Sequence, residues 1–119
     1  MTNLWVQYGQ TVYGEEAGDN AGNVKLSGDG KRFILGGKDN EGPPNGTKHG
    51  HVRVFEIKYN PSNGTLWEML GQEIFGVDEG DELDFPSINY DGAVIAAGAA
   101  FGRRWRGGHV RTFRLDQFP

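Results

Sequence analysis

The stretch WVQYGQTVYGEEAGDNAGNVKLSGDGKRFILGG at residues 5–37 has a counterpart, WEMLGQEIFGVDEGDELDFPSINYDGAVIAAGA, at residues 67–99. The two align without a gap at a constant separation of 62 residues. Self-similarity at a fixed period marks a repeat architecture, so one structural unit is expected to occur twice. The identical positions are Trp5/Trp67, Gly9/Gly71, Gln10/Gln72, Gly14/Gly76, Gly18/Gly80, Asp19/Asp81, Asp29/Asp91, Gly30/Gly92 and Gly36/Gly98.

The likeness continues beyond this alignment. The sequence GHVR at residues 50–53 recurs at residues 108–111, after a loop that is four residues shorter in the second copy. Phe55 then corresponds to Phe113. We therefore expect residues 1–119 to form a single unit of two repeats, the first at about 5–66 and the second at about 67–119.

The matched glycines and aspartates separate short runs of β-branched and aromatic residues, which is typical of strands joined by tight turns. Asp29-Gly30 and Asp91-Gly92 are predicted hairpin turns, because glycine tolerates the positive φ that such turns require. No window has the apolar period of a helix. The predicted strands are 23–28, 32–37, 51–59 and 66–75 in the first repeat, 85–90, 93–99 and 109–115 in the second, and a further strand at 4–13.

The strand at 4–13 corresponds to the fourth strand of a repeat, yet no other three strands precede it. The second repeat has three strands and lacks its fourth. Pro86 falls on the first strand of the second repeat, and proline is confined to edge strands, so this strand is expected at a sheet edge. The predicted fold is all-β, with two four-stranded antiparallel sheets, and strand 4–13 completes the second sheet of a neighbouring copy.

Composition limits the function classes. The chain has 119 residues, 20 glycines, 36% hydrophobic residues, no cysteine and a net charge of −4. The absence of cysteine excludes disulfides, thiolate metal sites and a cysteine nucleophile. An acidic balance argues against broad nucleic-acid binding, and no run is long enough for a membrane span. The polar start is no secretory signal, and the sequence names no compartment.

These features resemble β-propeller blades of the FG-GAP and integrin-α-like class. The motifs that carry the resemblance are W-x-x-x-G-Q, G-x-x-x-G-D, the x-x-D-G hairpin and the G-H-V-R strand. Calcium-binding members of that class have a D-x-D-x-D-G loop, whereas residues 26–30 read LSGDG and residues 88–92 read INYDG. Because this carboxylate series is absent, no calcium is expected.

The resemblance implies an oligomer. A propeller ring typically contains 4 to 8 blades, and one chain supplies two. Strand 4–13 of one chain could complete the blade at residues 85–115 of the next, and head-to-tail contacts of this kind close into rings when the rotation fits. Trp5, Trp67, Phe55 and Phe113 are the expected packing residues between blades.

A basic, aromatic segment is the predicted ligand-binding site. It consists of Arg103, Arg104, Trp105 and Arg106 in the loop between the second and third strands of repeat 2. Such residues can contact an anionic glycan or an acidic protein surface. The alternative is that these arginines form ion pairs with the acidic residues at 68–91.

The remaining polar residues predict no catalysis. His51 and His109 are equivalent in the repeat, which favours a structural role, and His49 is expected to be a loop residue. Asp19 and Asp81 are expected to cap loop backbone amides, the alternative being a cation site with Glu15, Glu16 or Glu79. Ser27 and Ser87 have no partner histidine or nucleophile-elbow motif. No metal, cofactor or enzyme activity is therefore expected.

Three functional readings remain from the sequence. The first is a non-enzymatic propeller that serves in protein or carbohydrate binding or as a scaffold, assembled as a homo-oligomer by strand exchange. The second is a fragment of a larger cell-surface adhesion propeller that binds glycan or protein. The third is an enzyme with a site in the central channel of a propeller.

Overall fold

The computed structural model describes residues 2–42, 48–100 and 107–117. In these ranges the chain forms eight β-strands in two antiparallel sheets, with no helix, so the predicted all-β class is confirmed. A helix long and apolar enough to cross a membrane is accordingly absent from the same ranges.

The first sheet comes from repeat 1 and the first residues of repeat 2. Its strands lie in the order β1-β2-β3-β4, and β5 pairs with β3 as well. The register sets Phe33 opposite Phe55 and Gly36 opposite Val52. The strands are β1 (Asn23–Leu26), β2 (Arg32–Gly37), β3 (His51–Asn60), β4 (Gly64–Met69) and β5 (Ile74–Phe75).

The predicted fourth strand at 66–75 is interrupted. The amide of Leu70 still donates to the Val54 carbonyl at 2.7 Å, but Gly71 then has a φ of 75°, which turns the backbone out of the extended conformation. Pairing with β3 resumes where Ile74 lies opposite Val52. The prediction of one continuous strand was therefore wrong, although both of its parts pair with β3.

Residues 4–13 form no strand in the single chain, contrary to the prediction. A strand requires a neighbour with unpaired backbone groups. The corresponding edge of β3 already carries β4 and β5. The segment instead lies beside Trp67 and leaves large side chains such as Trp5 and Tyr13 exposed.

The second sheet comes from repeat 2 and has three strands in the described part of the chain. They are β6 (Asp84–Ile88), β7 (Val94–Ala99) and β8 (His109–Arg114), in the order β6-β7-β8. Pro86 lies on the edge strand β6, as its missing N–H requires. β8 is paired on one side with β7, so the fourth position of this sheet is vacant in the described ranges.

Residues at matching repeat positions make matching hydrogen bonds in the two hairpins. The Asp29 carboxylate accepts from the Lys31 amide at 3.0 Å, and Asp91 accepts from the Ala93 amide at 3.1 Å. The side chain two residues before each aspartate also accepts a backbone amide. The Ser27 hydroxyl accepts from Arg32, and the Asn89 carbonyl oxygen accepts from Val94, both at 3.0 Å. Each aspartate therefore fixes its turn, as the sequence pattern predicts.

The hydrophobic core lies between the two sheets. Ile34 and Val52 of the first sheet are fully buried against residues of the second repeat. One face of the first sheet therefore packs on one face of the second. The second repeat contributes Leu83, Ile95, Ala97 and Ala99, and Val54, Ile74, Ile88 and Phe113 surround this cluster.

A backbone junction at Gly50 holds the sheets together. The Leu83 amide donates to the His49 carbonyl at 2.9 Å, and the Gly76 amide donates to the Gly50 carbonyl at 3.0 Å. Gly50 has a φ of 72°, and a Cβ at this position would lie 2.1 Å from the Leu83 nitrogen. Only glycine allows the two segments to approach this closely.

A polar contact also links the edge strands of the two sheets. The Asn23 side chain on β1 donates to the Asp84 carboxylate on β6 at 2.5 Å. Burial raises the pKa of Asp84 above its ordinary value, while the hydrogen bond from Asn23 opposes this shift. The ionised carboxylate is therefore held at some cost in desolvation.

Replacement of Gly50 by alanine tests the junction. We expect Gly50→Ala to lower the free energy of unfolding by roughly 2–5 kcal/mol, because a left-handed backbone and overpacking each add a cost. Gly64→Ala is the matched control, since Gly64 also has positive φ but open space around it. Its expected loss is only about 1–2 kcal/mol. Urea unfolding measures both values, and equal losses would contradict a packed junction at Gly50.

Candidate functional site

Trp67 on β4 is held by the N-terminal segment of the same chain. The Gln10 side chain donates to the Trp67 carbonyl at 2.8 Å and accepts from the Trp67 amide at 2.7 Å. The indole N–H donates to the Tyr8 carbonyl at 2.8 Å. The glutamine thereby satisfies both backbone groups of Trp67 that a further strand would otherwise pair.

The Trp67 indole also closes an aromatic cluster on one face of the first sheet. Its ring centroid lies 4.7 Å from Phe33 in an edge-on arrangement, and Phe33 stacks on Phe55 at 5.1 Å. A Cβ on Gly9 would lie 2.5 Å from the indole ring and 3.2 Å from Ile57. Gly9 is therefore required for the indole to reach its position.

The second repeat contains the same site without its tryptophan. A cavity of about 110 Å³, partly open to solvent, lies where the repeat places the counterpart of the Trp67 site. Its lining includes the residues that correspond to Tyr8, Gly9, Gln10, Lys31, Phe33, Phe55 and Ile57. These are Leu70, Gly71, Gln72, Ala93, Ile95, Phe113 and Leu115.

The surroundings of the cavity are open. Gly71 has the same positive φ as Gly9, but a Cβ there would meet nothing within 4 Å. No side-chain hydrogen bond of Gln72 is found among the described residues, whereas Gln10 makes two. The residue one repeat before Trp67 is Trp5, and Trp5 is fully exposed. In the described part of the chain, the counterpart of the Trp67 site is therefore an unfilled cavity, and the tryptophan one repeat before Trp67 is exposed.

The remaining predicted packing residues lie as follows. Phe55 is buried, and the Arg53 guanidinium lies 5.3 Å from its ring centroid. Phe113 borders the core, with the Arg111 guanidinium at 5.0 Å. Arg53 also donates to the Tyr13 carbonyl and Arg111 to the Phe75 carbonyl, at 2.9 Å in both cases. Tyr13 and Phe75 occupy equivalent positions of the repeat. That Trp5 packs between blades stays a prediction.

The predicted ligand segment, Arg103, Arg104, Trp105 and Arg106, lies outside the described residues. The loop aspartates do cap backbone amides: Asp19 accepts from Glu16 at 3.0 Å, and Asp81 accepts from Val77 and Asp78 at 3.1 and 3.0 Å. These hydrogen bonds hold the Asp19 and Asp81 side chains within their loops.

The three histidines differ in their surroundings. His49 contacts the Glu41 carbonyl at 3.2 Å, in keeping with a loop role. His109 lies 4.0 Å from Asp81. His51 is fully buried and lies beside Glu73. The repeat pattern did not identify Glu73 as a candidate site residue.

Sequence reasoning missed the role of Gln10. It placed W-x-x-x-G-Q on one strand, whereas the structure brings the glutamine of one copy of this motif to the tryptophan of the next. The signal was present, because both Gln10 and Gln72 are kept at a fixed distance after a tryptophan. What the sequence did not reveal was that the contact crosses from one repeat to the following one.

Replacement of Gln10 by alanine tests the docking of the N-terminal segment. We expect Gln10→Ala to speed hydrogen exchange of the Trp67 amide about five-fold, since one net hydrogen bond contributes about 1 kcal/mol. Gln72→Ala is the matched control and should leave this amide unchanged. Exchange measured by NMR decides the matter, and an unaltered Trp67 rate in Gln10→Ala would show that the glutamine does not hold the segment.

Comparison of the chain with models of protein families, with curated proteins and with solved structures gives no match in any of the three. The function must therefore be inferred from the residues of this chain. The clearest signal is the contrast between a filled tryptophan site in the first repeat and an empty one in the second.

Proposed function

We propose that the protein is a non-enzymatic β-propeller scaffold whose copies assemble head to tail. Residues 4–13 of one copy add the fourth strand to the second sheet of the next, and Trp5 enters the cavity at Leu70–Gln72. The observation that carries this proposal is the empty counterpart of the Trp67 site beside a fully exposed Trp5.

The first sheet supplies a template for the pairing between copies. In that sheet Ile57 lies opposite Trp67, and Val52 lies opposite Ile74. Translation to the second repeat sets Trp5 of one copy opposite Leu115 of the next. It likewise sets Val110 opposite Val12. The edge of β8, which is unpaired in the described ranges, then receives a partner strand.

The position of the N-terminal segment favours this arrangement. Residues 8–10 contact Trp67 of their own chain, so this part of the segment is held against β4. In the same way, the segment around Leu70–Gln72 lies beside the second sheet. A copy could therefore keep its own contacts and pair with its neighbour without refolding.

Exposure of one sheet face supports a further contact between copies. Val52 on β3 is fully buried against the second repeat, whereas its counterpart Val110 on β8 is 70% exposed. In the proposed ring, Val110 is covered by the first sheet of the copy that supplies the added strand, as Val52 is covered by the second repeat.

The assembly would display the predicted ligand segment once per copy. Arg103, Arg104, Trp105 and Arg106 remain the proposed contact for a glycan or an acidic protein. Repetition around a ring raises apparent affinity through multivalency without new contacts. This gives the scaffold a binding role, with dimers, trimers and tetramers supplying four, six or eight blades.

Light scattering after size exclusion tests the assembly. The wild-type chain is expected to have a mass that is a whole multiple of 13.1 kDa, at least two-fold. Trp5→Ala should reduce it to one chain, because the cavity loses its occupant. Gly71→Ala should do the same, because a Cβ would then occupy the space of the indole, as it would at Gly9.

Tyr90→Ala provides the control for this measurement. Tyr90 is a large exposed aromatic residue in the turn between β6 and β7, and it does not line the cavity. This variant should keep the wild-type mass, and circular dichroism should show that all variants are folded. A monomeric wild-type chain at about 100 μM would refute the proposal, as would a Trp5→Ala variant of unchanged mass.

A further inference from the structure

Three side chains from separate parts of the chain meet beside the N-terminal segment. They are Glu15 in the loop before β1, His51 at the start of β3 and Glu73 just before β5. One ligand atom from each lies within 4.8 Å of those of the other two. One nitrogen and two carboxylate oxygens are therefore close neighbours.

The His51 ring is buried without a hydrogen bond. Its side chain is 1% exposed, and neither ring nitrogen has a hydrogen-bond partner within residues 2–42, 48–100 and 107–117. Nδ1 lies 3.6 Å from a Glu73 carboxylate oxygen. On the other side, Nε2 packs against Gly37, where a Cβ would be only 2.7 Å away. The nitrogen that faces the two carboxylates is therefore a buried polar atom that lacks its expected partner.

Burial also favours the metal-binding form of this ring. Desolvation lowers the pKa of His51, and the nearby charge of Arg53 acts in the same direction. The imidazole is then neutral and has a lone pair available, which is the form that binds metals.

The two carboxyl groups lie close enough to share a proton or a cation. A hydrogen bond with Glu15, together with burial and the charge of Glu15, raises the pKa of Glu73 to about 7. Like charges this close cannot both persist unless a proton or a cation lies between them. The charge of Arg53 lowers the pKa of Glu73 in part, but its guanidinium donates to the Tyr13 carbonyl and lies over the Phe55 ring.

We propose that Glu15, His51 and Glu73 bind one Zn²⁺ ion, with water as the remaining ligand. A nitrogen with two carboxylates suits zinc, whereas calcium and magnesium prefer oxygen ligands alone. Ligands about 2.0–2.2 Å from a tetrahedral zinc lie about 3.3–3.6 Å apart, close to the observed separation of Nδ1 and the Glu73 oxygen.

The site lies at the first sheet and is not reproduced at the second. His109 corresponds to His51, but Val77 stands at the position that corresponds to Glu15. The histidine is therefore part of the repeat, whereas the carboxylates are additions to it. A bound ion would tie the segment that contains Glu15 to β3 and β5. This inference does not depend on assembly of the propeller.

Isothermal titration calorimetry with zinc chloride alone tests the site in the full chain. The wild-type protein is expected to bind one ion per chain. Glu15→Gln and Glu73→Gln should each weaken the affinity at least ten-fold, because each removes an anionic ligand. Glu15 is exposed, so Glu15→Gln is expected to fold even where a change at the buried His51 does not.

Two controls separate this site from adventitious binding. His109→Gln removes the equivalent histidine of the second repeat, and Glu68→Gln removes an exposed carboxylate on β4. Both should bind zinc as the wild type does. The proposal is overturned if the wild type gives no binding heat at millimolar zinc, if the two ligand variants keep full affinity, or if either control weakens binding as much as they do.

Discussion

The fit of the Trp67 indole against Gly9 is the contact on which the rest of the structure depends. It closes the aromatic cluster with Phe33, and its backbone is paired by Gln10. These contacts join one copy of the W-x-x-x-G-Q motif to the next. Because the contact joins consecutive repeats, a chain with two copies of the motif has one filled site. Among the described residues, one tryptophan then stays exposed and one cavity stays unfilled.

The free energy of burying the exposed tryptophan can be compared with the cost of association. Burial of a tryptophan removes roughly 150–250 Å² from water, which corresponds to about 4–6 kcal/mol at about 25 cal/mol per Å². Association costs roughly 4–15 kcal/mol in lost freedom, so the indole alone is not sufficient. Pairing along β8 and burial of the Val110 face would have to supply the rest. Assembly is therefore expected to be cooperative across the whole edge.

The sequence predicted the hairpins because Asp29-Gly30 and Asp91-Gly92 determine their turns locally. It did not predict the break at Gly71, because a positive φ at one glycine does not change the pattern of apolar residues from which the strand was predicted. Residues 4–13 read as a strand, but a strand forms only where a partner edge exists. The group of Glu15, His51 and Glu73 was missed because long-range folding, not spacing, brings it together.

Cysteine crosslinking tests the central claim most directly, because the chain has no cysteine of its own. The template register sets Val12 of one copy opposite Val110 of the next. Mild oxidation of a Val12→Cys, Val110→Cys double variant should give covalent oligomers with the mass of the native assembly. Thr11→Cys with Val110→Cys should crosslink poorly, because adjacent strand residues point to opposite faces. A product with the mass of one chain, or equal crosslinking of both pairs, would contradict strand addition between copies.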